Sequence, residues 1–103
     1  MIEISDYSLL LEKIKQRDKL FILDFYANWC GPCKILSPRL SKIEKAYNDV
    51  VFYKINVDKA PEIVELYNIR CMPTVLYIKN RDEFARIEGL NIKNITKLIE
   101  LYK

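Results

Sequence analysis

Apolar and polar positions change period several times along the chain, and each change marks an element. Ile2 and Ile4 alternate with polar neighbours, which predicts a short edge strand. Ser5 and Asp6 are candidate N-caps for a helix whose apolar face is Tyr7, Leu10, Leu11 and Ile14, spaced i, i+3, i+4 and i+7. A polar break, Gln16-Arg17-Asp18-Lys19, precedes a near-continuous apolar run over residues 20–27, the pattern of a central strand covered on both faces. Asp24 is the one charged residue in that run. Residues 28–32 turn the corner into a helix predicted over about residues 33–48, with Leu36, Leu40, Ile43 and Tyr47 as its buried stripe. Pro38 falls inside this helix and is expected to kink it, because it removes an intrahelical bond and crowds the preceding turn.

Residues 50–57 form a second interior strand pattern. Pro61 suits the first turn of a short helix with Ile63, Val64 and Tyr67 inward. Residues 74–79 and about 83–88 read as two strands joined by a tight turn at Asn80-Arg81-Asp82, where Asn tolerates positive φ although the usual glycine is missing. Gly89 breaks the pattern, and Ile92, Ile95, Leu98, Ile99 and Tyr102 give a closing amphipathic helix. The order β-α-β-α-β-α-β-β-α requires parallel strands in its βαβ units and an antiparallel hairpin near the end. The expected class is α/β with a mixed central sheet, as one domain over residues 1–103; no linker, repeat or low-complexity tract interrupts it.

Composition narrows the function classes. The 103 residues are 50% apolar and 30% charged, enough for a core without metal or disulfide staples. The net charge of +3 comes from cations scattered among acids, so neither a nucleic-acid nor a membrane-surface role is expected. Met1-Ile2-Glu3-Ile4-Ser5-Asp6 has no basic or apolar leader pattern, and no apolar run reaches membrane-spanning length. A cytoplasmic location is therefore expected, where a Cys-x-x-Cys pair is catalytic or metal-binding rather than a staple. The chain has no histidine, which removes imidazole acid–base catalysis, Cys–His dyads and most zinc or iron sites.

The chemistry centres on Trp29-Cys30-Gly31-Pro32-Cys33-Lys34. Pro32 suits a helix start, and Gly31 allows close approach of strand to helix and of a partner's backbone. Cys30 then lies at a helix N-terminus, where free N–H groups and the macrodipole favour a thiolate. The pair reads as a dithiol that opens and closes. A structural zinc needs four ligands and only Cys71 remains, so no metal site is expected. Asp24 has two readings: a satisfied buried polar group, or a carboxyl raised toward neutrality that takes the proton of Cys33. Lys54 is either a solvated strand-end lysine or a modulator of that charge. Cys71 is either a small filler or an exposed extra thiol.

The segment Phe25-Tyr26-Ala27-Asn28-Trp29-Cys30-Gly31-Pro32-Cys33-Lys34 resembles the active-site segment of the thioredoxin family. Asp24, Pro38, Lys54, Met72-Pro73-Thr74 and Gly89 agree at matching places, so the resemblance covers essentially the whole chain. It implies a thioredoxin fold, a mixed five-stranded central sheet flanked by four helices. It implies a thiol–disulfide oxidoreductase that reduces protein disulfides as an electron donor in cell redox homeostasis. Cys30 would attack; Cys33, further into the helix and less exposed, would resolve the mixed disulfide; Asp24 would accept a proton. Gly31, Pro32 and Lys54 would tune the couple, while Trp29, Met72, a cis Pro73 and Gly89 would bind substrate. No cofactor is implied beyond the Cys30–Cys33 disulfide. The implied partners are disulfide-containing proteins and a thioredoxin reductase. The expected unit is a monomer, with a Cys71-linked dimer under oxidation. Three departures stand out: Tyr26 where bacterial members usually carry tryptophan, the hairpin without glycine, and Cys71 where many members have glycine. Two other functions compete. An oxidase or isomerase of this fold usually has histidine between the cysteines, unlike Gly31-Pro32, and a non-enzymatic subunit of a larger complex would leave no motif.

Overall fold

The computed structural model describes residues 1–103. Its elements are β1 (Ile2–Glu3), α1 (Tyr7–Ile14), β2 (Leu20–Tyr26), α2 (Gly31–Ala46), β3 (Val51–Asn56), α3 (Pro61–Leu66), β4 (Thr74–Lys79), β5 (Asp82–Glu88) and α4 (Ile92–Tyr102). The order matches the sequence pattern. The five strands form one sheet in the order β1-β3-β2-β4-β5. β1 and β2 run parallel to β3, whereas β4 runs antiparallel to β2 and β5 antiparallel to β4. This is the thioredoxin fold with its mixed sheet and four helices. No helix is long and apolar enough to cross a membrane.

The near-continuous apolar run takes the central position, and every residue of β2 except the half-exposed Tyr26 is buried. Alternation along this strand divides the core. Phe21, Leu23 and Phe25 pack with Leu10, Ile14 and Ile63 beneath α1 and α3. Leu20 and Ile22 pack with Leu36, Leu40, Ile95 and Ile99 beneath α2 and α4. Asp24 shares the second face by the same alternation, and so its carboxyl points toward α2 rather than α1 or α3.

Several local expectations are refined. Asp6, not Ser5, caps α1, its carboxylate accepting the Leu9 N–H at 3.1 Å. Leu11 is exposed because this eight-residue helix buries only Leu10 and Ile14. Ile2 is exposed because β1 lies at the sheet edge with two residues paired, leaving Ile4 just beyond it to reach the core. Helix α2 begins two residues before the expected 33, since Pro32 fits the first turn, and continues through Pro38 to Ala46; Tyr47 is its C-cap. Asn80 and Arg81 have φ of +52° and +72°, the pair of left-handed conformations a tight I′ hairpin requires. The Asn80 side chain accepts the Asp18 N–H at 2.8 Å, which ties this turn to the one before β2.

Candidate functional site

The corner between β2 and α2 carries the thiols. Cys30 has extended backbone at the N-cap, φ −90° and ψ 111°, and its Sγ accepts the N–H of Cys33 at 3.2 Å. A helix N-terminal donor therefore points at the sulfur. Cys30 and Cys33 are joined as a disulfide with Cα atoms 5.3 Å apart. Cys33 is the less exposed of the two, as expected, but only by a small margin, 4% against 6%. The bond draws both sulfurs into one small apolar cluster with Ala27, against which Tyr26, Val57 and Met72 pack.

Trp29 projects from the corner and is 67% exposed, which rules out a core role. Its indole N–H donates to Asp58 Oδ2 at 2.9 Å, and the Asp58 N–H in turn donates to Asn56 Oδ1 at 3.0 Å. Opposite the thiols, the Met72–Pro73 peptide bond is cis and Met72 contacts the cysteine cluster. The Pro73 carbonyl accepts the Gly89 N–H at 2.8 Å, so the loop after β5 is fastened to the loop before β4. Gly89 has φ +92°, a conformation that side chains rarely adopt. Met72 and, through Pro73, Gly89 are thus tied to the cysteine pair, and Trp29 adjoins it in the chain.

Asp24 lies inside. It is 4% exposed, and its Oδ1 has no hydrogen-bond partner. Burial pushes the carboxyl up to about 7, while the nearby Lys54 charge pulls in the opposite direction. A cavity of about 160 Å³ is lined by Asp24, Cys33, Tyr26, Lys34, Ser37 and Lys54 among others. That space holds water easily, so a proton can pass between Cys33 and Asp24 without direct contact. Lys54 also sits over the Tyr26 ring, 5.9 Å from its centroid. The structure therefore brings Cys33, Asp24 and Lys54 to one cavity, with Cys30, Gly31 and Pro32 at the adjoining helix start, and sets Met72 against the cysteines, with Pro73 next to it in the chain and fastened to Gly89.

Three participants went unnoticed in the sequence. Asp58 and Asn56 anchor Trp29, and Glu3 accepts the Tyr26 hydroxyl. Asn56 ends the parallel strand β3 and Asp58 lies just beyond it, at the carboxyl end where site residues usually gather in α/β sheets, which is the available signal. Glu3 had none, because its partner is distant in the chain. Cys71 is free and exposed, in line with the exposed-thiol reading.

The thioredoxin family model matches residues 4–101. The chain is 43% identical to Thioredoxin-T of Drosophila melanogaster, over 84% of this chain and 56% of that protein. It is 42% identical to a peptide-N(4)-(N-acetyl-beta-glucosaminyl)asparagine amidase of Caenorhabditis elegans, over 80% of this chain and only 14% of that much longer protein. The chain thus spans little more than half, or much less, of these two relatives. The solved thioredoxin of Fasciola hepatica superposes with a TM-score of 0.96 at 31% identity, covering 100% of both chains. With the helix-capping cysteine pair and the fold in agreement, this chain belongs to the thioredoxin family.

Proposed function

We propose that this chain reduces disulfides in other proteins by cycling Cys30 and Cys33 between dithiol and disulfide. The Cys30 thiolate, supported by the Cys33 N–H at the start of α2, attacks one sulfur of the substrate disulfide. A mixed disulfide forms and the other substrate sulfur leaves as a thiolate, which takes a proton from solvent. The Cys33 proton passes through the cavity to the Asp24 carboxylate, and the Cys33 thiolate attacks Cys30 Sγ. The substrate's second sulfur departs, and two electrons have moved from this chain to the substrate. The observation that carries this reading is that Cys33 and a carboxyl raised to about 7 line the same cavity. Gly31 and Pro32 keep the turn tight, Lys54 tunes Asp24, and Trp29, Met72, Pro73 and Gly89 receive the substrate backbone.

The oxidised chain needs two electrons to begin again, and a thioredoxin reductase is the partner that supplies them. All residues of the cycle come from one chain, so a monomer suffices. A cytoplasmic setting suits it, because an exposed free thiol such as Cys71 persists where thiols are kept reduced. Insulin reduction with dithiothreitol as donor tests the cycle. Cys30→Ser should abolish turnover, and Cys33→Ser should accumulate a mixed disulfide; turnover by Cys30→Ser would refute the mechanism.

A further inference from the structure

A groove of about 470 Å³ runs between α2 and α4, lined by Arg39, Lys42, Ile43, Ile92, Lys93 and Thr96. Its polar walls carry three cations and no carboxylate. None of the three makes an ion pair with this chain, although Lys15, Arg70, Arg86 and Lys103 all do. Glu44 on α2 is turned away to the N-terminal ammonium, and Glu100, two turns further along α4, is engaged by Tyr47 and Lys103. The cationic face is therefore open to an external anion, over a floor of two isoleucines.

Both walls of this groove start at the redox site. α2 begins at Cys30, and α4 begins just after Gly89, which is fastened to Pro73. Ile35, 54% exposed, lies one turn before Arg39 on the same face of α2, and Leu90, 42% exposed, directly precedes the cap of α4. A surface therefore leads from the thiols over apolar residues into a basic groove.

Resting on the protein-disulfide reductase reading, we propose that this groove selects substrates, taking an acidic segment that flanks the disulfide to be reduced. Arg39 and Lys42 lie about 13 and 18 Å along the helix from Cys30, at about 1.5 Å per residue. An extended substrate advances about 3.3 Å per residue, so the favoured Asp or Glu sits about four to six positions from the attacked cysteine. Complementary charge at this distance speeds encounter and fixes the direction of the bound chain. It does not alter the sulfur chemistry.

The test uses two synthetic disulfide peptides that differ only in carrying three Asp or three Lys at those positions, with the whole chain and dithiothreitol as donor. The Asp peptide should have the higher kcat/KM at low salt, with the difference shrinking as salt rises. In the triple variant Arg39→Gln, Lys42→Gln, Lys93→Gln, kcat/KM for the Asp peptide should fall about tenfold, the scale of three exposed ion pairs, while reduction of a small uncharged disulfide is unchanged. Equal rates for the two peptides in the native chain would leave the groove to another occupant and overturn the proposal. So would a preference for Asp that survives the triple substitution. Failure to reduce either peptide would instead refute the disulfide-reductase reading.

Discussion

Asp24 and Lys54 stand opposite one another across the parallel β2–β3 pair. The register brings a cation near a carboxyl that is otherwise buried with an unpartnered oxygen. Burial outweighs the attraction, so the net effect is a carboxyl raised from 3.8 to about 7. The folded chain therefore holds a proton on Asp24 between about pH 4 and pH 7 that the unfolded chain has released.

Stability should consequently fall as pH rises through that window. The shift spans about 3 units at about 1.36 kcal/mol each, so ionised Asp24 costs at most about 4 kcal/mol above pH 7. Asp24→Asn should raise the denaturation midpoint at pH 8 and make no difference below about pH 4. Urea unfolding of both chains at the two pH values measures it; equal midpoints at pH 8 would show that the carboxyl is not strained by burial.

In the proposed cycle the same group shapes the rate. With Asp24 as proton acceptor, release of substrate from the mixed disulfide accelerates as pH rises through about 7. Asp24→Asn should remove that limb and slow reduction at neutral pH by about 100-fold, the low end for a lost general base. Lys54→Met should move the limb to higher pH, because the only cation pulling the carboxyl down is gone. At pH 7 this variant is slower than the native chain, and at pH 9 the two converge. A profile unmoved by Lys54→Met would deny Lys54 its tuning role.

These expectations show which features a sequence can carry. The central strand was legible because seven apolar or buried positions in succession permit only the middle of a two-sided sheet, and Asp24 was conspicuous for the same reason. The Cys30–Cys33 corner was legible because glycine, proline and two thiols act over four adjacent positions. Glu3 with Tyr26, and Trp29 with Asp58, were not, since each pair joins residues that meet only after β1, β2 and β3 assemble. The apolar period puts the start of α2 two residues late, because helical periodicity begins only with the first buried side chain, whereas the backbone turns at the cap.

Cys71 offers a check on the oxidised state. Its thiol is exposed and free, 3.8 Å from the Thr74 hydroxyl, and no neighbouring cysteine of the same chain is unpaired. Oxidation then has only an intermolecular route to a disulfide. Peroxide treatment should give a dimer band on a non-reducing gel that is lost with reductant and absent from Cys71→Ser. A dimer that persists in Cys71→Ser would assign the link to the redox pair instead.

The last prediction separates scaffold from chemistry. Tyr77 is fully buried on β4, yet its hydroxyl donates to the Ile95 carbonyl on α4 at 2.9 Å. Burial pushes this phenol well above its ordinary value of 10, so it remains a donor at any working pH. The bond joins the sheet to the helix that forms one wall of the basic groove. Tyr77→Phe keeps the ring packing against Phe84 and removes only the donor. The Ile95 carbonyl still lies within α4, so the loss should be about 1 kcal/mol, the net worth of one hydrogen bond, and not a full desolvation penalty. In a chain of this size that lowers Tm by about 4–8 °C. Calorimetry reads the shift, and insulin reduction at 25 °C should be unchanged, because no group at the thiols has moved. A loss of activity with no change in Tm would place Tyr77 in the redox site rather than in its support.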